Sequence, residues 1–155
     1  MDKANQVYSA SSWPFPALGF ALIHTGKKVW TQDHLHQISF SESELTACYE
    51  QAVQAFLSGE QAGFVQAFGQ YQDNLVAQGL QESHTTQLLA SLRSVPGFVV
   101  GKGCGALGAE VVCVLYEQSC RESFLRSIQL QYTLVATERD LSSGLDYASE
   151  AAKLL

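Results

Sequence analysis

At 155 residues, 46% of them apolar and 15% charged, the chain is long enough for one folded core, too short for two, and too apolar to be largely disordered. A net charge of −6, with only nine Lys and Arg and no basic run, excludes a surface built for nucleic acid or anionic lipid. No apolar stretch approaches the roughly 20 residues that span a bilayer, and no basic-then-apolar leader opens the sequence. The expectation is a cytoplasmic protein without a membrane or nucleic-acid partner.

The polar residues through Ser12 and the Trp13-Pro-Phe-Pro16 segment read as a lead-in over 1–16, because two prolines fix the backbone and remove donors. Leu18 to His24 is a short apolar run that predicts a buried strand, broken by Thr25-Gly-Lys-Lys28. Val29 to Phe40 mixes Trp30, Leu35 and Ile38 with polar groups and reads as a loop or short turn. Ser41-Glu-Ser-Glu44 has capping-box spacing, and Leu45, Cys48, Tyr49, Ala52, Val53, Phe56 and Leu57 then recur at helical steps until Gly59. A second helix carries Phe64, Val65, Phe68, Tyr71, Leu75 and Val76 and closes at Gly79. Ser83 is placed to cap a third, which Pro96-Gly97 stops. Phe98–Val100 and Val111–Tyr116 are β-branched runs suited to burial on both faces. Glu117 to Ile128 returns to helical spacing, Leu130 to Ala136 alternates as a last strand, and Ser142 to Leu155 reads as a short terminal helix or tail.

The order strand, helices, strand, strand, helix, strand predicts an α+β fold. It is the ferredoxin-like split β-α-β sandwich with an enlarged helical first crossover, its helices packed on one face of a mostly antiparallel sheet. The main domain covers 17–140, followed by a tail over 141–155.

The chemistry-bearing segment is Gly101-Lys-Gly-Cys-Gly-Ala-Leu-Gly108, four glycines in eight residues. Residues without Cβ let backbone amides approach an anion or another backbone closely, so the spacing leaves two readings open, a phosphate-facing loop or a tight hairpin. A dinucleotide fold requires a helix after the glycines, whereas Val111 to Tyr116 is a second β-type run. A Walker A loop requires a Gly-Lys-Ser/Thr ending that is absent. Cys48, Cys104, Cys113 and Cys120 lack C-x-x-C spacing, and His24, His34, His36 and His84 lack ligand spacing, so free thiols and no metal site are expected.

Three helices followed by Pro96-Gly-Phe-Val-Val-Gly-Lys-Gly-Cys-Gly-Ala-Leu-Gly-Ala-Glu-Val-Val-Cys-Val-Leu115 resemble the C-terminal domain of the GHMP kinases, the superfamily of galactokinase, homoserine, mevalonate and phosphomevalonate kinases. Gly103, Gly105 and Gly108 fall on the glycines of that family's third motif, with Cys104 where alanine is usual and Ala106 and Leu107 in place of glycines. The resemblance spans about Leu18 to Thr137. It implies that Lys102, Gly103, Cys104, Gly105, Ala106 and Gly108 support the ATP phosphates, and that His24, Thr25 and Lys27 border a substrate cleft. A looser similarity over Ile23–Lys28 and Thr31–Leu35 favours a mevalonate-pathway-like substrate.

The family's Pro-x-x-x-Gly-Leu-Gly-Ser-Ser loop, and the catalytic Asp and Lys of its N-terminal half, have no counterpart here, so no catalytic residue is assigned. The resemblance therefore implies a domain that uses ATP and Mg2+ only with an N-terminal kinase domain, in cis or in trans. Without that partner it is expected to be inactive. A homodimer is compatible with the sequence. The competing expectation is a non-catalytic ferredoxin-like module for ligand binding or dimerisation.

Overall fold

The computed structural model describes residues 12–27, 41–105 and 110–141. Four strands form one antiparallel sheet: β1 (Leu18–His24), β2 (Phe98–Cys104), β3 (Val111–Glu117) and β4 (Thr133–Thr137). Their order across the sheet is β2-β3-β1-β4, with every adjacent pair antiparallel. Helices α1 (Glu42–Ser58), α2 (Gln61–Ala77) and α3 (Ser83–Leu92) fill the connection from β1 to β2. A 3-10 turn, Gln118–Cys120, and helix α4 (Arg121–Gln129) connect β3 to β4. This is the expected α+β split β-α-β arrangement with an enlarged first crossover.

The sheet is apolar on both sides, and the period of two sorts its residues into two cores. Ala21 and Ile23 of β1, with Val112, Val114 and Tyr116 of β3, pack against Leu88, Leu89 and Leu92 of α3 and Phe124, Leu125 and Ile128 of α4. The intervening residues, Leu18, Phe20 and Leu115, pack with Phe56 of α1 and with Phe64, Val65 and Phe68 of α2. The expectation of helices on one face thus holds for α3 and α4 only. The α1–α2 hairpin lies on the other side, because Leu18, Phe20 and Leu115 leave that face equally in need of cover.

Trp13 and Phe15, assigned to the lead-in by sequence, belong to this second core. Phe15 is 1% exposed, and the Trp13 indole N–H donates to the Leu18 carbonyl at 2.6 Å. Edge-to-face contacts at 5.2 Å to Phe15 and to Phe20 hold the Trp13 ring. The two prolines still keep the segment out of a helix. They direct its aromatic residues inward.

Local signals at the helix ends are partly redirected. Gly59 ends α1 in the left-handed conformation, as its position predicts. The Ser41–Glu44 capping box does not form. The Ser41 N–H donates to Gln78 Oε1 at 2.6 Å, and Gln78 Nε2 donates to the Glu44 carboxylate at 3.2 Å. Gln78, at the end of α2, supplies from across the hairpin the acceptor for the Ser41 N–H that Glu44 would supply in the box. At α3 the N-cap is Glu82, and Ser83 is the first helical residue. The reading of 29–40 as a loop, the lead-in through residue 11 and the terminal helix from Ser142 lie outside the described residues.

At the end of the sheet where β3 finishes, a buried polar cluster ties the two halves together. The Tyr116 hydroxyl donates to Glu138 Oε2 at 2.7 Å, and Arg121 Nε donates to Glu138 Oε1 at 3.1 Å. Burial pushes the Glu138 carboxyl upward, but the hydrogen bonds from Tyr116, Arg121 and Gln118 outweigh it and hold the group below its ordinary value of 4.5. Burial, reinforced by Glu138, pushes the Tyr116 phenol up, so it remains a donor at every physiological pH. A carboxyl depressed in the folded state stabilises fully above its ordinary value, and that contribution is lost as pH falls through the lower folded value. Tyr116→Phe should therefore cost about 2 kcal/mol in urea unfolding at neutral pH, the scale of a hydrogen bond to a charged group. The gap to the parent chain should narrow once pH drops well below 4.5. A gap independent of pH would show that Glu138 is not held ionised by Tyr116.

Candidate functional site

The two groups of residues singled out by the glycine segment and by the end of β1 are far apart in sequence, yet the sheet register joins them. Cys104 pairs with Val111, Val111 with His24, and His24 with Thr133, so one row across the sheet carries the ends of β1 and β2 and the start of β3. Thr25 N–H donates to the Glu110 carbonyl at 2.9 Å and continues that row beyond the strands. Lys102, Gly103, Cys104, Gly105, His24, Thr25 and Lys27 therefore share one pole of the molecule. Ala106 and Gly108 lie outside the described residues.

The glycine segment is not one loop. Gly101 to Cys104 belong to β2, and only Gly105 of the described glycines lies past the strand. Gly101 is buried, and a Cβ there would sit 2.6 Å from Leu89 Cδ2 and 3.3 Å from Val114 Cγ2. Its task is to let α3 approach the sheet. The Gly103 N–H points away from β3 and donates to Gln72 Oε1 at 3.1 Å, which fastens the edge of β2 to α2. Gly105 has φ +75°, and among the described residues nothing stands within 4 Å of where a Cβ would be. It makes the turn and leaves its backbone open to an approaching group. The segment Phe98–Val100, expected to be buried on both faces, is half-buried, because β2 is an edge strand covered by α2 rather than by a further strand.

The side chains around this pole are held by a small network. Gly26 N–H donates to His24 Nδ1 at 3.0 Å, so the proton of the neutral ring is on Nε2, 4.0 Å from Glu110 Oε1. Thr25 is 8% exposed and exchanges hydrogen bonds with the Lys27 backbone through Oγ1, at 3.2 and 3.3 Å. His84 Nε2, from the first turn of α3, donates to the Thr25 carbonyl at 3.2 Å. Lys27 is exposed at the end of this turn. Lys102 turns away from the row: its Nζ donates to the Gly103 carbonyl at 3.0 Å and stands 5.3 Å from the Tyr71 ring centroid. Burial first, and Cys104 second, push the Cys113 thiol up to about 12 against the opposing charge of Lys102, so it is no thiolate nucleophile.

Gly105 is exposed, and no described residue stands where a Cβ on it would be. The described residues contain no group of three His, Cys, Asp or Glu side chains that would hold a metal ion. Among them, no helix is long and apolar enough to cross a membrane.

No protein-family model and no curated protein matches the sequence. Solved structures do match its fold. Phosphomevalonate kinase from Streptococcus pneumoniae, in complex with phosphomevalonate and AMPPNP, superposes with a TM-score of 0.63 at 16% identity over 83% of this chain. Mevalonate kinase from L. major, in complex with R-mevalonate, gives 0.60 at 14% identity over 81% of this chain. Lactococcus lactis galactokinase, complexed with galactose, gives 0.54 at 11% identity over 74% of this chain. The chain has the fold of a GHMP kinase domain. It spans only 41% of the length of each of these three kinases.

Within that fold, Gln72 and His84 are the site-supporting residues that sequence reasoning missed. Gln72 occupies a buried position on α2, four residues after Phe68 on the apolar stripe, and a polar side chain at such a position is a legible signal. His84 carries no local signal, since its partner Thr25 is distant in sequence. Because Gly101 is set by packing, Gly101→Ala should lower stability by about 1–2 kcal/mol through overpacking. Leu89→Ala, itself a costly truncation of a buried side chain, should cost less in the Gly101→Ala chain than in the parent chain, as read by thermal unfolding of the single and double variants. If Gly101→Ala is neutral, α3 does not approach the sheet this closely.

Proposed function

We propose that the chain is the C-terminal domain of an ATP-dependent GHMP-type kinase that phosphorylates a small metabolite hydroxyl or phosphate, with a mevalonate-pathway-like substrate favoured. The observation that carries the proposal is the row Cys104–Val111–His24, which sets the glycine turn and the end of β1 side by side within this fold. ATP and Mg2+ would be bound together with an N-terminal kinase domain, in the same polypeptide or a second one. Phosphoryl transfer depends on positioning and charge stabilisation from both walls of its cleft, so this chain by itself is proposed to be inactive. The four free thiols suit a reducing, cytoplasmic setting.

In this reading the described residues act through the backbone and through positioning. Gly105 offers its open main chain to phosphate oxygens, as expected of a left-handed turn. Gly103 and Cys104 set the direction of that turn, and Gln72 and Lys102 hold Gly103 by its N–H and carbonyl. His24, Thr25 and Lys27 border the acceptor side. His24 Nε2–H is available as a donor to a substrate oxygen, and the exposed Lys27 ammonium is an electrostatic guide for an anionic substrate. The bound nucleotide would supply the transferable phosphoryl group.

The test is a calorimetric titration of ATP and Mg2+ into the chain alone, and into the chain mixed with an N-terminal GHMP kinase domain. The expected result is nucleotide binding by the pair and at least tenfold weaker binding by either half. Gly105→Val should weaken binding by the pair at least fivefold, and the left-handed backbone should cost roughly 1–2 kcal/mol of stability. A pair that binds no nucleotide, or a Gly105→Val chain that changes only in stability, overturns the phosphate-wall role and favours a non-catalytic module.

A further inference from the structure

The periodic apolar face that identifies α1 in the sequence is not fully used by the fold. Cys48 and Ala55 are buried, but Tyr49 is 62% exposed and Leu57 65% exposed. Both are lips of a groove of about 400 Å³ between α1 and α2, within the size range of small-molecule sites. Phe56, Phe64, Phe68 and Tyr71 line it, and among the described lining residues Lys102 is the one charged side chain and none is acidic.

Lys102 makes this groove more than an uncovered helix face. It is half-buried, and among the described residues no carboxylate stands within ion-pair distance of its ammonium. One of its three donors is taken by the Gly103 carbonyl at 3.0 Å. Among the described residues its ammonium also stands over two rings, at 5.3 Å to the Tyr71 centroid and 5.9 Å to the Phe68 centroid. A cation in an apolar setting without a counter-charge is costly, and rings compensate only part of that cost. An anionic group arriving at the end of an apolar chain would supply the missing charge, while the chain would cover Tyr49 and Leu57.

We infer that the α1–α2 groove binds a medium-chain aliphatic carboxylate, its chain along Tyr49, Phe56 and Leu57 and its head group on Lys102. One ammonium balances one negative charge, which favours a carboxylate over a phosphate dianion whose second charge would remain uncompensated in an apolar groove. The inference shares Lys102 with the kinase reading, through its bond to the Gly103 carbonyl, but the groove lies on the helical-hairpin side and uses neither Gly105 nor His24.

The test uses the full 155-residue chain and isothermal titration calorimetry with decanoate, decanol and decyl phosphate, each below its aggregation concentration. Decanoate should bind at least tenfold more tightly than decanol and more tightly than decyl phosphate. Lys102→Met, which keeps the stem and removes the charge, should lower decanoate affinity at least tenfold and leave decanol affinity unchanged. Leu57→Glu, an exposed lip position where misfolding is not expected, should weaken decanoate and decanol alike. Fluorescence of Trp13 should report occupancy, because its ring stands 6.0 Å from Phe56 and 5.9 Å from Phe64. Equal affinity for decanoate and decanol, an unchanged Lys102→Met chain, or tighter binding of decyl phosphate would overturn the assignment. So would the absence of any decanoate heat in a chain whose self-association is abolished by Leu57→Glu, which would give the groove to a second copy.

Discussion

The paired central strands, β1 and β3, present large apolar side chains to both sides of the sheet. Ala21, Ile23, Val112 and Val114 are all 0% exposed on one face, and Leu18 and Leu115 are at most 2% exposed on the other. A sheet that buries both faces needs two separate covers, and a chain of this length has few elements to provide them. The short helices α3 and α4 cover one face. The α1–α2 hairpin, with Trp13 and Phe15 wedged beneath it, covers the other. This division fixes what each edge of the sheet can do: β2 is fastened to α2 through Gly103 and Gln72, and β4 is left as the opposite edge.

That constraint also decides what the glycines are for. β2 lies between α3 on one face and α2 at its edge, and where α3 comes closest there is no room for a side chain. Gly101 answers the first approach, and the Gly103 amide makes the bond to α2. Gly105 has a left-handed backbone, and no described residue stands within 4 Å of where its Cβ would be. The described part of the motif therefore combines an architectural stretch, Gly101–Cys104, with an exposed turn residue, Gly105. The two poles of the sheet differ in kind. One is closed by the charged, hydrogen-bonded trio of Tyr116, Arg121 and Glu138, and the other is built from backbone groups and a lightly held histidine.

Much of the architecture was legible because it is written in periodicity. The bounds of β1, Leu18–His24, follow from one uninterrupted apolar run between a Pro-rich segment and a Gly turn. The end of α1 follows from Gly59, whose φ of +70° is a conformation that side chains disfavour. Signals that depend on partners distant in sequence were not legible. Ser41 and Glu44 have the correct spacing to cap each other, but Gln78 competes from α2 and takes both. Nothing in the first crossover indicates that its helices divide between two faces, because amphipathicity gives the angle of a stripe and not the surface it meets. The likeness of the glycine segment to the GHMP kinases pointed to the correct fold, yet it made a loop of Gly101–Cys104, which is strand. Gly101 and Gly105 read alike in a sequence, and only packing separates the one that admits a helix from the one that makes a turn.

Lys102 shows how much a single register position decides. Its neighbours Gly101 and Gly103 lie on the α3 side of β2 or at its edge, so the period of two sends the lysine to the opposite face, toward α1 and α2. A phosphate-facing role inferred from adjacency to the glycines would place the ammonium at the turn. The pleat places it over Phe68 and Tyr71 instead, with its link to the turn reduced to one bond to the Gly103 carbonyl. Moving the charge back to the turn would require slipping β2 by one residue against β3. That slip would turn Val100 from the α2 side into the space that Gly101 now leaves for Leu89. The close packing of α3 forbids it, so the same contact that demands a glycine at position 101 also commits the adjacent lysine to the helical-hairpin groove.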